Sequence, residues 1–203
     1  LPGAARAALV AGLDADFWSS HAYDDPATGY FSYAFADAPG LLGDVARAAL
    51  AAAVSAGLAD RPCATVEFWA HAKPSAAGHE LHFDADVASG ALPMCSAVVL
   101  LEAPPGGGRT VVTDRDPSDA GDAGTVGFVA ENAERGLLLF DGRLLHGVLP
   151  GRPSPRRRTS LMLSFWDRAL ARAAPGGRPA ANMALPAADG GAAWARALLG
   201  PRE

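Results

Sequence analysis

A mainly β fold with a jelly-roll-like core and α-helical cover on its N-terminal side is what this sequence of 203 residues predicts. Three observations carry the prediction. From Ala64 onward, for about a hundred residues, apolar residues alternate with period two in short runs broken by Gly, Pro and Asp. Ahead of that stretch they recur at helical spacing instead. The gaps between the runs are too short for helical crossovers, so neighbouring strands must pair antiparallel, as in a sandwich or barrel.

Taken in order, Leu9, Val10, Leu13 and Phe17 make one helical stripe, and Leu42, Val45, Leu50, Val54 and Leu58 make a second. Between them Asp24, Asp25, Pro26 and Gly29 signal a loop, and the aromatic stretch Tyr30 to Phe35 reads as a strand. The core strands follow: Thr65 to Ala72, Glu80 to Asp86, Ser96 to Glu102, Thr110 to Thr113, Leu137 to Phe140, Leu144 to Leu149 and Arg158 to Trp166. Beyond Trp166 the chain is rich in Ala, Pro and Gly, with one short helix expected near Ala192 to Leu199. No internal repeat divides the chain, so a single domain is expected. Residues 1–60 form its helical cover, 64–166 its β core and 167–203 a C-terminal extension.

Composition narrows the function. The net charge is -5, from 17 basic and 22 acidic residues, and no long basic block is present. That is not the footprint of a protein that grips a phosphate backbone, so nucleic acid is not an expected partner. The longest apolar runs, Ala48 to Ala59 and Ala91 to Leu101, fall short of the roughly 18 residues needed to cross a bilayer, and no membrane span is expected. Cys63 and Cys95 are too few for a disulfide framework or a Cys-rich zinc site, and read as small buried hydrophobes. The chain starts at Leu1 without a signal-like segment; a cytoplasmic setting is the expectation, and an upstream segment removed before Leu1 remains compatible with it.

The chemistry concentrates in the histidines. In the run Gly78-His79-Glu80-Leu81-His82-Phe83-Asp84, His82 and Asp84 lie two apart in a strand and leave it on one face. A distant apolar strand offers His146, in Phe140-Asp141-Gly142-Arg143-Leu144-Leu145-His146-Gly147-Val148. Two imidazoles and one carboxylate on one side of a metal leave its other side open, the donor set of a non-haem Fe(II) oxygenase. Twelve residues after His146 comes Arg158-Thr159-Ser160, whose guanidinium and hydroxyl share a strand face and suit a carboxylate. His79, directly after Gly78, reads as a loop residue, and His21 as a helix cap. On the strand before the motif, Glu67, Trp69, His71 and Lys73 share a face. Trp69 and His71 are candidate substrate or co-substrate contacts, with a solvated strand face as the plainer alternative.

The ordered set His82-Phe83-Asp84, His146-Gly147-Val148 and Arg158-Thr159-Ser160 resembles the Fe(II)- and 2-oxoglutarate-dependent dioxygenase superfamily, most like its small prolyl-4-hydroxylase-like branch. Leu139-Phe140-Asp141-Gly142 and Gly106-Gly107-Gly108-Arg109-Thr110 add to the likeness, which covers roughly Thr65 to Trp166. The resemblance implies a double-stranded β-helix, with His82, Asp84 and His146 as iron ligands and Arg158 with Ser160 holding the distal carboxylate of 2-oxoglutarate. It also implies O2 as co-substrate and ascorbate as a supportive reductant. The implied reaction is hydroxylation of an unidentified small molecule or protein side chain, coupled to decarboxylation of 2-oxoglutarate to succinate and CO2. The family commonly sets its Arg about one residue nearer the distal histidine, which here selects Arg157. Strand phase favours Arg158, because it keeps the Arg-x-Ser pair on one face. Two other readings stay open: a cupin-type metalloenzyme using His79, His82 and His146 without 2-oxoglutarate, and a non-catalytic jelly-roll binding module. The loops Tyr23 to Gly29 and Asp114 to Gly124 are candidate covers for the site.

Overall fold

The computed structural model of the chain describes residues 31–38, 40–86, 89–119, 126–134, 136–170 and 183–184. The expected helices over Leu9 to Phe17 and Ala192 to Leu199, His21, the Tyr23 to Gly29 loop and part of the Asp114 to Gly124 loop lie outside these residues. Strand β1 (Phe31–Ala34) runs through a short 3-10 turn into helix α1 (Gly40–Ser55). Then come β2 (Thr65–Pro74), β3 (His79–Phe83), β4 (Cys95–Glu102), β5 (Arg109–Thr113) and β6 (Gly127–Val129), followed by β7 (Leu137–Asp141), β8 (His146–Leu149), β9 (Arg157–Trp166) and β10 (Met183–Ala184). They form two five-stranded sheets, ordered β1-β2-β9-β4-β7 and β10-β3-β8-β5-β6, in which all the strand pairs are antiparallel. Alternate sequence neighbours falling in opposite sheets is the double-stranded β-helix, a jelly-roll core as the period-two pattern predicts.

Side-chain alternation sorts each central strand into two environments. On the outer face of the first sheet, Val66, Phe68, Ala97, Val99, Leu101, Leu161, Leu163 and Phe165 pack against α1. The helix meets them with Val45, Ala46, Ala49 and Ala53, while Val54, expected on this stripe, is exposed. Small alanines let the helix axis come close to the sheet, and they are strong helix formers besides. Gly57, at φ 72°, closes the helix: its N–H reaches the carbonyl of Val54 and the next N–H, of Leu58, that of Ala53. That paired pattern needs a left-handed residue, which glycine supplies without strain.

Between the sheets a second cluster joins Trp69, Val98, Leu100, Ala103, Val112, Phe140 and Met162. On the outer side of the second sheet Leu81, Phe83, Val111, Leu145 and Leu149 form a third. Cys95 is buried and Cys63 half-buried, and burial pushes their thiols up to about 12 and about 11, as expected of inert packing residues. None of the helices among the described residues is long and apolar enough to cross a membrane.

Candidate metal centre

The central pair of strands in the second sheet, β3 and β8, sets His82 directly opposite His146. Asp84 sits one residue beyond the end of β3, where an uninterrupted strand to Asp86 was expected. It still faces the same way as His82: Asp84 Oδ1 is 3.6 Å from His82 Nε2, and Asp84 Oδ2 is 3.6 Å from His146 Nε2. All three residues are buried, and one donor atom from each lies within 4.8 Å of the others.

These separations are too long for hydrogen bonds and short enough for a shared cation. Two of the donor atoms, Asp84 Oδ1 and His146 Nε2, are buried with no hydrogen-bond partner. A buried carboxylate oxygen without a partner is costly, and a divalent ion relieves that cost. The imidazoles are prepared for it. Nδ1 of His82 hydrogen-bonds the carbonyl of Glu80 at 2.8 Å, and Nδ1 of His146 that of Leu144 at 2.9 Å. A carbonyl can only accept, so Nδ1 carries the proton in each ring and Nε2 offers its lone pair. Burial, reinforced by neighbouring His146, pushes His82 down to about 4, which keeps it neutral at physiological pH despite the opposing pull of Asp84.

The carboxylate is oriented from the opposite sheet. Ser96 on β4 and Ser164 on β9 are register partners, and their hydroxyls lie 3.1 and 3.2 Å from Asp84 Oδ2. Ser96 carries no motif signal; its one mark is being a polar residue in the otherwise apolar run Ser96 to Leu101.

The first sheet also carries Arg158 on its inner face, 5% exposed. Its Nη1 donates to Ser160 Oγ at 3.2 Å and its Nη2 to Thr110 Oγ1 at 3.0 Å, while Nε is buried without a partner. Burial pushes this guanidinium down to about 10, still charged at neutral pH. Hydroxyls solvate it, but none of the ion pairs among the described residues neutralises it. Arg157 points the other way, exposed, with its guanidinium on the carbonyl of Ala72.

His79 departs from the sequence expectation. It opens β3 rather than lying in a loop, and a register shift between His79 and His82 brings these two residues, three apart, onto one face. A row of rings results: His71 lies 5.0 Å from His79, His79 4.8 Å from His82, and His82 4.4 Å from His146. Burial first, then neighbouring charges, pushes His71 down to about 3 and His79 to about 2. Lys73 Nζ donates to His79 Nδ1 at 2.8 Å. The surface expected to be polar along β2 is mixed: His71 and Lys73 are half-buried at the site, while Trp69 is buried in the apolar cluster between the sheets.

No protein-family profile matches the chain, and no curated protein matches it either. Solved structures do. A prolyl-4-hydroxylase from Pseudomonas putida is 22% identical, with a TM-score of 0.51 over 83% of this chain and 84% of that one. AviO1 from Streptomyces viridochromogenes Tue57 is 18% identical, with a TM-score of 0.52 over 84% of this chain and 87% of that one. SnoK, a non-haem α-ketoglutarate-dependent carbocyclase from nogalamycin biosynthesis, is 12% identical, with a TM-score of 0.55 over 82% and 76%. The fold is thus the one used by prolyl-4-hydroxylase-like and other 2-oxoglutarate-dependent oxygenases. At these identities the likeness is one of fold, and the chemistry has to be argued from the site.

Proposed function

We propose that the protein is an Fe(II)- and 2-oxoglutarate-dependent dioxygenase that hydroxylates a small molecule or a protein side chain. One observation carries this: a buried His-Asp-His donor set with two unpartnered donor atoms on one sheet and a buried arginine that lacks a counter-charge on the other both face the space between the sheets. A divalent cation answers the first deficit and a carboxylate the second. A molecule with a metal-binding 2-oxo acid at one end and a carboxylate at the other answers both.

In this reading His82, Asp84 and His146 hold the metal, and Arg158 with Ser160 receives the distal carboxylate. When bound, iron, 2-oxoglutarate and O2 supply the oxidising chemistry, with succinate and CO2 as products of the co-substrate. The chain's own part is preparatory. Carbonyls of Glu80 and Leu144 fix the imidazole tautomers, Ser96 and Ser164 hold the carboxylate, and Trp69, Phe140 and Met162 keep water from one side. Exclusion of water strengthens each charge interaction inside. The cupin-type alternative asks His79 to be a ligand, but its Nδ1 is held by Lys73 and it stands outside the three-donor group.

The test is succinate formation from 2-oxoglutarate by protein reconstituted anaerobically with Fe(II) and then exposed to O2, with and without ascorbate, beside Asp84→Ala. Succinate from the wild type alone is expected. Equal succinate from Asp84→Ala, or failure of the Fe(II)-loaded wild type to bind 2-oxoglutarate in a calorimetric titration, overturns the reading and favours a binding module.

A further inference from the structure

Lys73 is the charge that the reading above leaves unused. On β2 it stands in register directly opposite Arg158 of β9, so both side chains leave the first sheet on its inner face. Like charges directly opposite on paired strands repel, and an anion beside either one relieves that repulsion. None of the carboxylates among the described residues lies within ion-pairing distance of Lys73 Nζ. The neighbouring acid, Glu80, is exposed and opposes the downward shift that burial and Arg158 impose on Lys73. With co-substrate in place, two charges on the metal and one on Arg158 are matched by Asp84 and the two carboxylates of 2-oxoglutarate. Those groups then balance among themselves, and Lys73 stands outside that balance.

Position separates Lys73 from the seat of Arg158. Arg158 is buried and committed to Thr110 and Ser160, whereas Lys73 is half-buried and turned to His79. Because His79 Nδ1 accepts from the ammonium, the ring's proton lies on Nε2. The Nε2–H leaves the far side of the ring, so His79 aims the ammonium and leaves the other N–H groups of Lys73 to spare, with the His79 ring 4.8 Å from the ring of His82. A half-buried ammonium held in place with N–H groups to spare suits an oxygen-rich anionic group.

We propose that the primary substrate is acidic: Lys73, aimed by His79, receives its carboxylate or phosphate group at the rim of the metal site. This rests on the dioxygenase reading. The experiment uses anaerobic Fe(II)-loaded protein, first titrated to saturation with 2-oxoglutarate, then titrated calorimetrically with acetate and, separately, with methylphosphonate. One-site binding of at least one of the two anions is expected, and which one binds distinguishes a carboxylate from a phosphate substrate. Lys73→Gln should weaken that binding by about tenfold or more. Lys73→Arg, which keeps the charge, should stay within about fivefold of wild type. In Lys73→Gln the dissociation constant of 2-oxoglutarate should move by less than about threefold, a shift of under roughly 0.7 kcal/mol.

Normal 2-oxoglutarate loading with neither anion bound overturns the proposal alone, as does undiminished anion binding by Lys73→Gln. An equal loss of 2-oxoglutarate affinity in Lys73→Gln also overturns it, by assigning the lysine to the co-substrate. Failure of the wild type at the loading step overturns the dioxygenase reading and this proposal with it.

Discussion

The two faces of β9 are made from the same ten residues and follow opposite rules. Outward, Leu161, Leu163 and Phe165 are fully buried against β2, β4 and α1, and everything they require is supplied by the chain. Inward, Arg158, Ser160 and Ser164 are just as buried but polar, and they serve groups whose needs the chain meets only in part: Arg158 Nε, Asp84 Oδ1 and His146 Nε2 have no partner. The difference teaches where to look for function. A face that is complete without ligand holds the fold together, and a face that is buried yet incomplete is prepared for something the chain does not provide. Substitutions on the two faces should therefore separate stability from binding.

The sharpest separation pairs Asp84→Ala with Leu163→Ala. Asp84→Ala should lower Fe(II) affinity by more than about a hundredfold in a metal titration, without lowering the thermal midpoint of metal-free protein, because it removes a buried carboxylate whose Oδ1 has no partner. Leu163→Ala should cost about 2–5 kcal/mol in denaturant unfolding and leave the folded fraction's metal affinity unchanged. If both variants lose both properties, the contrast between the faces collapses.

Next in size, Arg158→Ala should raise the 2-oxoglutarate dissociation constant by roughly ten- to a hundredfold, and the exposed Arg157→Ala should leave it alone. The reverse pattern would move the carboxylate seat to the outer face. Ser96→Ala and Ser164→Ala act only through Asp84, and each should weaken metal binding by about tenfold, read in the same titration.

The gentlest test is acid. His71, His79 and His82 titrate in the folded protein well below the ordinary 6.5, so below that pH the unfolded chain holds more protons. Stability present at neutral pH is thus lost progressively as pH falls from 6.5 toward the folded values. Metal-free protein should lose at least about 5 °C in its thermal midpoint between about pH 7 and pH 5. A flat profile would mean that the row of rings is open to water.

Period two made the β core legible from the sequence, since a strand buried on one face and functional on the other must alternate. Legible too were His82, His146 and the inward phase of Arg158, because chemistry-bearing residues in apolar strands stand out. Ser96 was not: a lone serine in an apolar strand looks the same whether it braces a carboxylate or caps nothing. His79 was misread as a loop residue because it follows Gly78, and the register shift that turns it to the face of His82 leaves no mark in the period-two pattern. The helix stripe was drawn through Val54 where alanines do the packing, since contact with a sheet rewards small size as well as hydrophobicity.

That register shift has a counterpart across the strand pair. A Cβ on Gly147 would come within 2.8 Å of the His79 carbonyl oxygen and 3.0 Å of that of Glu80, so the displaced backbone of β3 rests where β8 has no side chain. The glycine following His146 is thereby explained by the shape of the opposite strand rather than by any contact with a ligand. The arrangement also makes this short stretch sensitive to length more than to composition. Removing one residue between His79 and His82 would take out the extra residue, pair the strands two against two with His79 still facing as His82 does, and relieve the displacement that requires Gly147.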